Sequence, residues 1–265
     1  MAIIGSIIGD IAGSVIEFGK PKDYNPKTAK LFTDDNEFTD DTVLSIATKY
    51  AIENARYGVP DYAGAYHEFG LKYPYCGYGE MFMDWLESDN PLPYGSYGNG
   101  SAMRVSYIAD YYSGFGEIKR QAERSAECTH NHEEGIKGAM VAATCIWVAK
   151  NGTRKDDVLR FGKRFYPKSE YPYSCEYSLD ELREFYKWDA TCQGSVPLAI
   201  RCIYEADNYE EFLRNVFSVD CDADTVACIG GGIAEELFDG TGFDNKEILE
   251  KYLPEELYKQ ISILL

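Results

Sequence analysis

The sequence predicts an all-α protein, and three observations carry that expectation. Apolar residues recur at helical spacing through most of the chain, cap residues stand at the heads of those runs, and sustained period-two alternation is hard to find. No repeat of about 20 to 50 residues appears, nor any Ser/Gly-rich linker, so residues 1–265 are read as one helical domain.

The first helix is expected in "MAIIGSIIGDIAGSVIEF". It is apolar nearly all round, the mark of a buried helix. Gly5, Gly9 and Gly13 recur every four residues and form a smooth stripe for close packing against a second helix. Asp10 and Glu17 share a face of it. Carboxylates in a core are costly unless paired or bound to a cation; for Asp10 alone, hydrogen bonding to a neighbouring helix N-terminus explains the residue equally well.

"LFTDDNEFTDDT" then writes Phe-Thr-Asp-Asp twice. The second copy runs into "TVLSIATKYAIENARYG", where Val43, Ala47, Tyr50 and Ala51 keep helical spacing, so Thr39, Asp40 and Asp41 open a helix. The first copy, Thr33-Asp34-Asp35, is followed by no periodic run and lies in a loop. The looser Pro-, Gly- and Tyr-rich pieces are 19–38, 73–100 and 166–178.

Further helices are expected where Asn131, Ser178 and Asn208 each stand three residues before a glutamate, the capping-box spacing. The first of these places Ile136, Met140, Ala143 and Trp147 on one face and stops at Asn151-Gly152. "SVPLAIRCIYEAD" reads as a helix with Pro197 near its first turn. In "SVDCDADTVACIGGGIAEELF", Asp220, Asp222, Asp224 and Thr225 precede a helix lined by Val226, Ile229, Ile233 and Leu237. Three glycines inside it cost about 1 kcal/mol each relative to alanine, so the backbone there is expected to approach another helix or a ligand closely.

One aspartate-rich helix start is most simply a cap. Two such starts together with Asp10 and Glu17 supply more oxygens than capping needs, and they point to a metal site. All the donors are oxygen, with no Cys or His at metal spacing, which selects Mg²⁺ or Mn²⁺ over zinc or copper. The number of carboxylates suits two ions sharing a water. An EF-hand beginning at Asp220 would need Gly and Glu where Thr225 and Gly231 stand, so that reading fails.

"YGSYGNGSAMRVSYIADYY" is a Gly/Ser/Tyr/Asn-rich loop entering a helix near Ser101, a junction whose amides suit a pyrophosphate. It matches neither a dinucleotide fingerprint nor a P-loop. "THNHEEG" holds His130 and His132 at another helix start, and His67 stands alone.

Composition narrows the field. A net charge of −18 argues against general binding to nucleic acid or an anionic membrane. Lys20, Lys22, Lys27 and Lys30 form a local basic strip, best read as a solvated loop. Eight cysteines without a C-x-x-C read as reduced thiols, mostly buried. No basic residue precedes Lys20, so the apolar start lacks a signal-peptide n-region, and with Asp10 inside it is no membrane span. A cytoplasmic protein is expected, in which the sequons at Asn99 and Asn151 carry little meaning. Twenty-two tyrosines suit grooves that offer both stacking and hydroxyls.

Five stretches, in order along nearly the whole chain, resemble the ADP-ribosylglycohydrolase family: "GSIIGDIAGSVIEF", "FTDDT", "GSYGNGSAMR", "THNHEEGIKGA" and "DADTVACIGGGIAEELFDG". The resemblance implies an all-α fold with a dinuclear Mg²⁺ or Mn²⁺ centre. It implies Thr39, Asp40, Asp41, Asp222, Asp224 and Thr225 as metal ligands, and Glu17 as a mobile glutamate near the reaction centre. Catalytic proton transfer falls to Glu17, Asp40 or Asp41. Ser96, Tyr97, Gly98, Asn99 and Gly100 match the loop around the diphosphate, and His130 a neighbour of the distal ribose. The family's Gly-Gly before D-x-D-T is replaced here by Asp220-Cys221.

The expected activity is metal-dependent hydrolysis of the bond between C1″ of ADP-ribose and an acceptor, on an ADP-ribosylated protein or a small ADP-ribose conjugate. Two other classes compete: a non-catalytic, crystallin-like ADP-ribose binder, and a metal-dependent phosphohydrolase.

Overall fold

Helices succeed one another from end to end: α1 (Ala2–Gly13), α2 (Asp40–Glu53), α3 (Tyr62–Lys72), α4 (Glu80–Glu87) and α5 (Gly100–Met103). There follow α6 (Ser106–Tyr111), α7 (Phe115–Glu127), α8 (Glu133–Lys150), α9 (Lys155–Phe165) and α10 (Leu179–Phe185). The last are α11 (Cys192–Tyr204), α12 (Tyr209–Val216), α13 (Ala223–Leu237), α14 (Asn245–Tyr252) and α15 (Glu255–Ile261). The computed structural model describes residues 1–152 and 154–265, so Thr153 of the second sequon lies outside the described residues. Among the described residues the extended pairings are isolated bridges, Arg56 with Val59 and Gly98 with Thr191. No helix among them is long and apolar enough to cross a membrane. The all-α expectation holds.

The centre of the molecule is the α1–α13 pair. Every residue of α1 is buried, with Ile3, Ile7, Ile8 and Ile11 wholly so, and each such side chain contributes about 2 kcal/mol. The glycine stripe lets the two backbones touch. A methyl group at Gly5 would strike the Gly231 carbonyl, one at Gly9 the Ala227 carbonyl, and one at Gly13 the backbone of Asp224. From α13, Gly230 would strike the Phe212 ring, Gly231 the carbonyl of Gly5, and Gly232 the Ser6 hydroxyl. The three-glycine run therefore serves helix packing. The same contact sets Asp10 of α1 beside Asp224 of α13.

Several local expectations change. Ser178 closes a capping box with Glu181, and Asn208 accepts from the Glu211 amide at 2.9 Å. Asn131, however, does not cap α8: His132 does, its Nδ1 accepting from the Glu134 amide at 3.1 Å. The Asn131 side chain turns instead to the Gly95 amide, 2.7 Å away, and Glu134 turns to Lys137 and Tyr171. Helix α11 begins at Cys192, capped by Thr191, so Pro197 lies inside the helix rather than in its first turn. The loose region 73–100 contains α4, whose Phe82, Trp85 and Leu86 are buried. A two-turn helix is too short for its period to stand out between glycines and tyrosines. All eight cysteines are free, and six are buried.

The first Phe-Thr-Asp-Asp copy is a surface turn. Asp34 is exposed and pairs with Lys251 at 2.7 Å, while Asn36 accepts from the Thr33 amide and hydroxyl. Asn36 is buried and donates to the Ile11 carbonyl at 2.7 Å, which ties this turn to the end of α1.

Candidate active site

Three helix ends meet at one place: the C-terminal end of α1 and the N-termini of α2 and α13. Thr39 is the N-cap of α2, its Oγ1 accepting from the Asp41 amide at 3.3 Å. Asp222 stands at the N-cap position of α13. Asp10 braces α2 from the side. It accepts hydrogen bonds from the Thr39 amide (3.0 Å) and hydroxyl (2.7 Å), and from the Thr42 amide (3.1 Å) and hydroxyl. The reading of Asp10 as a partner of a helix N-terminus is thus correct, and it operates inside the carboxylate cluster.

Single oxygens of Asp10, Asp41 and Asp224 lie within 4.8 Å of one another, as do those of Glu17, Asp222 and Asp224. Asp224 belongs to both groups. Thr225 ties them together, donating from Oγ1 to Asp41 Oδ2 at 3.1 Å. Asp41 Oδ1 and Asp222 Oδ1 are buried and accept no hydrogen bond among the described residues. Orphaned buried carboxylate oxygens are costly unless a cation meets them. The donor set therefore fits a hard divalent ion. Asp10 is less suited to hold one, because both its oxygens are already occupied by the threonines.

Electrostatics agree. Burial, reinforced by the neighbouring carboxylates, holds Asp40, Asp41 and Asp224 well above the usual carboxylate range. Burial lifts Asp10 to about 6 against the hydrogen bonds from Thr42 and Thr39. Burial and the charge of Asp222 lift Glu17 to about 7. Without a counter-charge the cluster resists ionisation.

Above it opens a cavity of about 490 Å³, lined by Glu17, Asp40, Asp222, Asp224 and Thr225 on one side. Ser96, Gly98, Asn99, Gly100 and His130 line it on another. Thr39 and Asp41 sit beneath this wall, buried. Asp40 lines the cavity but falls outside both carboxylate groups. The 96–100 loop is strapped to the segment before α11: the Asn99 amide donates to the Ala190 carbonyl (2.8 Å) and the Cys192 amide to the Tyr97 carbonyl (2.9 Å). The amides of Gly95 and Gly98 are used by Asn131 and Ser96. Those of Ser96, Tyr97 and Gly100 have no acceptor among the described residues. The Tyr97 side chain does not line the cavity; it is exposed and packs on His132, ring centroids 5.1 Å apart.

Sequence reasoning missed much of the remaining wall: Phe18, Tyr78, Phe82, Tyr94, Arg104 and Trp188. Phe18 and Trp188 are 84% and 48% exposed, which marks them as rim aromatics rather than core. The tyrosine-rich composition hinted at stacking surfaces without saying which rings would provide them. A neighbouring cavity of about 550 Å³ shares Glu17, Phe18 and Trp188 with the first, and there Asp220 and Cys221 are found with Lys20 and Arg183.

Comparison with known proteins gives a consistent family. The family model for ADP-ribosylglycohydrolase matches residues 1–234. A protein of Acanthamoeba polyphaga mimivirus carrying an ADP-ribosyl glycohydrolase name is 25% identical over 287 aligned residues, covering 91% of this chain and 86% of its own. ADP-ribosylhydrolase ARH3 of Mus musculus is 27% identical over 188 residues, 58% of this chain and 50% of that protein. The Gallus gallus ARH3 is 28% identical over 57% of this chain and 49% of its own. The chain thus aligns with about half the length of these vertebrate relatives. A solved structure described as an ADP-ribosylglycohydrolase-related protein complex superposes with a TM-score of 0.72 at 20% identity, covering 98% of this chain and 93% of that one. It shares the fold.

Proposed function

The chain belongs to the ADP-ribosylglycohydrolase family, and on that premise we propose that it hydrolyses the bond between C1″ of ADP-ribose and an acceptor, with Mg²⁺ or Mn²⁺ held in the carboxylate cluster. The observation that carries this reading is the pair of carboxylate groups sharing Asp224, set in the wall of a cavity whose other wall is the 96–100 loop.

Asp41, Asp222 and Asp224, with the hydroxyls of Thr39 and Thr225, are the proposed ligands, for two ions; Asp40 joins them from the cavity wall. When bound, such ions would supply Lewis acidity toward ribose hydroxyls and a water of lowered pKa. The protein's own groups do the rest. The amides of Ser96, Tyr97 and Gly100 offer donors to the diphosphate, and His130 faces the same loop. Carboxylate oxygens along the wall favour positive charge at C1″ as the glycosidic bond lengthens. Glu17, half-buried in the cavity wall, takes the proton of the attacking water, with Asp40 and Asp41 as the alternative bases.

The acceptor side is proposed to be the neighbouring cavity, because it meets the first at Glu17. Its occupant is an ADP-ribosylated protein side chain or the leaving part of a small conjugate. The cytoplasm is the proposed compartment, supported by eight cysteines without a disulfide.

The test is product analysis after incubation with arginine- and serine-linked ADP-ribosyl peptides, in Mg²⁺ and in EDTA. Metal-dependent release of intact ADP-ribose is the expected result. AMP and ribose phosphate would mean a phosphohydrolase. Tight binding of ADP-ribose without turnover of any conjugate would mean a binding protein.

A further inference from the structure

Beside the loop lies a charge with no counterpart. Arg104 is fully buried, yet it forms no ion pair among the described residues. Its Nη2 donates to the Ser125 carbonyl (2.9 Å) and to Thr129 Oγ1 (2.7 Å). The guanidinium lies over the Tyr66 ring, 4.0 Å from its centroid, and Nε and Nη1 have no hydrogen-bond partner among the described residues. A buried, unpaired cation is expensive to keep, and a residue of that kind in a cavity wall calls for a functional explanation.

The contact with Thr129 leads to His130. Thr129 Oγ1 is 2.8 Å from His130 Nδ1, and the Tyr94 amide fixes the Thr129 carbonyl at 3.0 Å. The hydroxyl has one proton, and His130 Nδ1 at 2.8 Å is much nearer than the Ala126 carbonyl at 3.4 Å; the Tyr94 hydroxyl and Cys128 thiol also lie beside it. If Nδ1 carried a proton, Oγ1 would face two donors, Arg104 and His130, and its own proton would be left with the long contact. Donation from a guanidinium also makes the hydroxyl a better donor in turn. The consistent arrangement is Arg104 to Thr129 to an unprotonated Nδ1, which puts the ring proton on Nε2. Burial and the nearby Arg104 charge push the imidazole pKa well down, so the ring stays neutral. Nε2 has no protein partner among the described residues. It faces Gly98 and Gly100, where an added methyl group would come within 3.7 and 3.3 Å of it.

We infer that Arg104, acting through Thr129, is a positioning residue that holds His130 as its Nε2–H tautomer, making the ring a hydrogen-bond donor to an oxygen of the ADP-ribosyl group against Gly98–Gly100. This rests on the proposed function for the ligand's identity, though not for the tautomer. The loop wall then gains a further donor beside the amides of Ser96, Tyr97 and Gly100, and the positive charge behind it is balanced when the anionic ligand arrives.

The test is ¹⁵N-histidine NMR of the full chain, with three histidines to assign, alongside titration with ADP-ribose. Wild type and Thr129→Ser are expected to show His130 protonated at Nε2. Thr129→Val, which keeps the shape and removes the hydroxyl, is expected to shift the proton toward Nδ1 and weaken ADP-ribose binding by about tenfold. Arg104→Lys serves as a second variant, with a mixture of tautomers expected. Protonation at Nδ1 in wild type, or an unchanged Nε2–H signal in both Thr129→Val and Arg104→Lys, would overturn the inference. Failure of the wild type to bind ADP-ribose would instead strike at the proposed function, and the tautomer would still be read.

Discussion

Asn99 Nδ2 donates to Asp222 Oδ2 across 2.8 Å, joining the 96–100 loop to the head of α13. The same amide group also donates to Ser195 Oγ at 2.9 Å, so one side chain ties the loop to both α11 and the carboxylate cluster. It leaves Asp222 Oδ1 as the oxygen free to meet a cation.

Losing that donor should therefore damage metal binding. Asn99→Asp is expected to weaken Mn²⁺ affinity by about 10- to 100-fold, the usual cost of losing an outer-sphere partner of a ligand. Isothermal titration checks it, and Asn99→Ala, which loses the same donor without gaining a charge that attracts the cation, should lose at least as much.

The two Phe-Thr-Asp-Asp copies should differ completely. Asp41→Ala removes a buried oxygen shared with Thr225 and is expected to abolish turnover. Asp34→Ala removes only an exposed partner of Lys251, so turnover and melting temperature should stay near wild type. Release of ADP-ribose by both variants, measured side by side, decides this.

Gly9→Ala probes the α1–α13 contact. The added methyl would press into the Ala227 carbonyl, with no flexible side chain to give way. Destabilisation of about 2–3 kcal/mol is expected, seen as a fall in melting temperature of roughly 5–10 °C.

In the metal-free protein, Asp10 at about 6, Glu17 at about 7, and Asp40, Asp41 and Asp224 well above their unfolded values bind more protons folded than unfolded. Stability should then fall as pH rises from about 4 through 7, since the folded state resists the ionisation that the unfolded chain undergoes freely. Mg²⁺ favours the ionised cluster, so its stabilising effect should be larger at pH 8 than at pH 5. Thermal melts with Mg²⁺ and with EDTA across this range would show it; a metal effect independent of pH would place the ion elsewhere.

The parts of this protein legible in its sequence are those where a local pattern had a single physical solution. The stripe of Gly5, Gly9 and Gly13 permitted close helix contact, and the continuation after Asp41, absent after Asp35, separated the copy that joins the carboxylate cluster from the surface turn. Capping was harder to read, because Asn131 and His132 are adjacent and either can accept from α8; the Gly95 amide, distant in sequence, claims the asparagine. The site's aromatic rim was illegible. Phe18 and Trp188 come from connections whose positions depend on tertiary packing, and nothing in their neighbours distinguishes a rim ring from a core ring. Arg104 was illegible too: it is a lone cation entering the apolar stretch "SAMRVSYIA", and only the structure shows it buried without an acid.

The most direct test of the central claim is a Mn²⁺ titration of metal-stripped protein, comparing wild type with Asp224→Asn, a substitution of equal size at the residue common to both carboxylate groups. Two ions bound by the wild type, and loss of high-affinity binding together with hydrolysis in the variant, are the expected result. Unchanged binding in Asp224→Asn would contradict the account, because the cation would then not reside where the two groups meet.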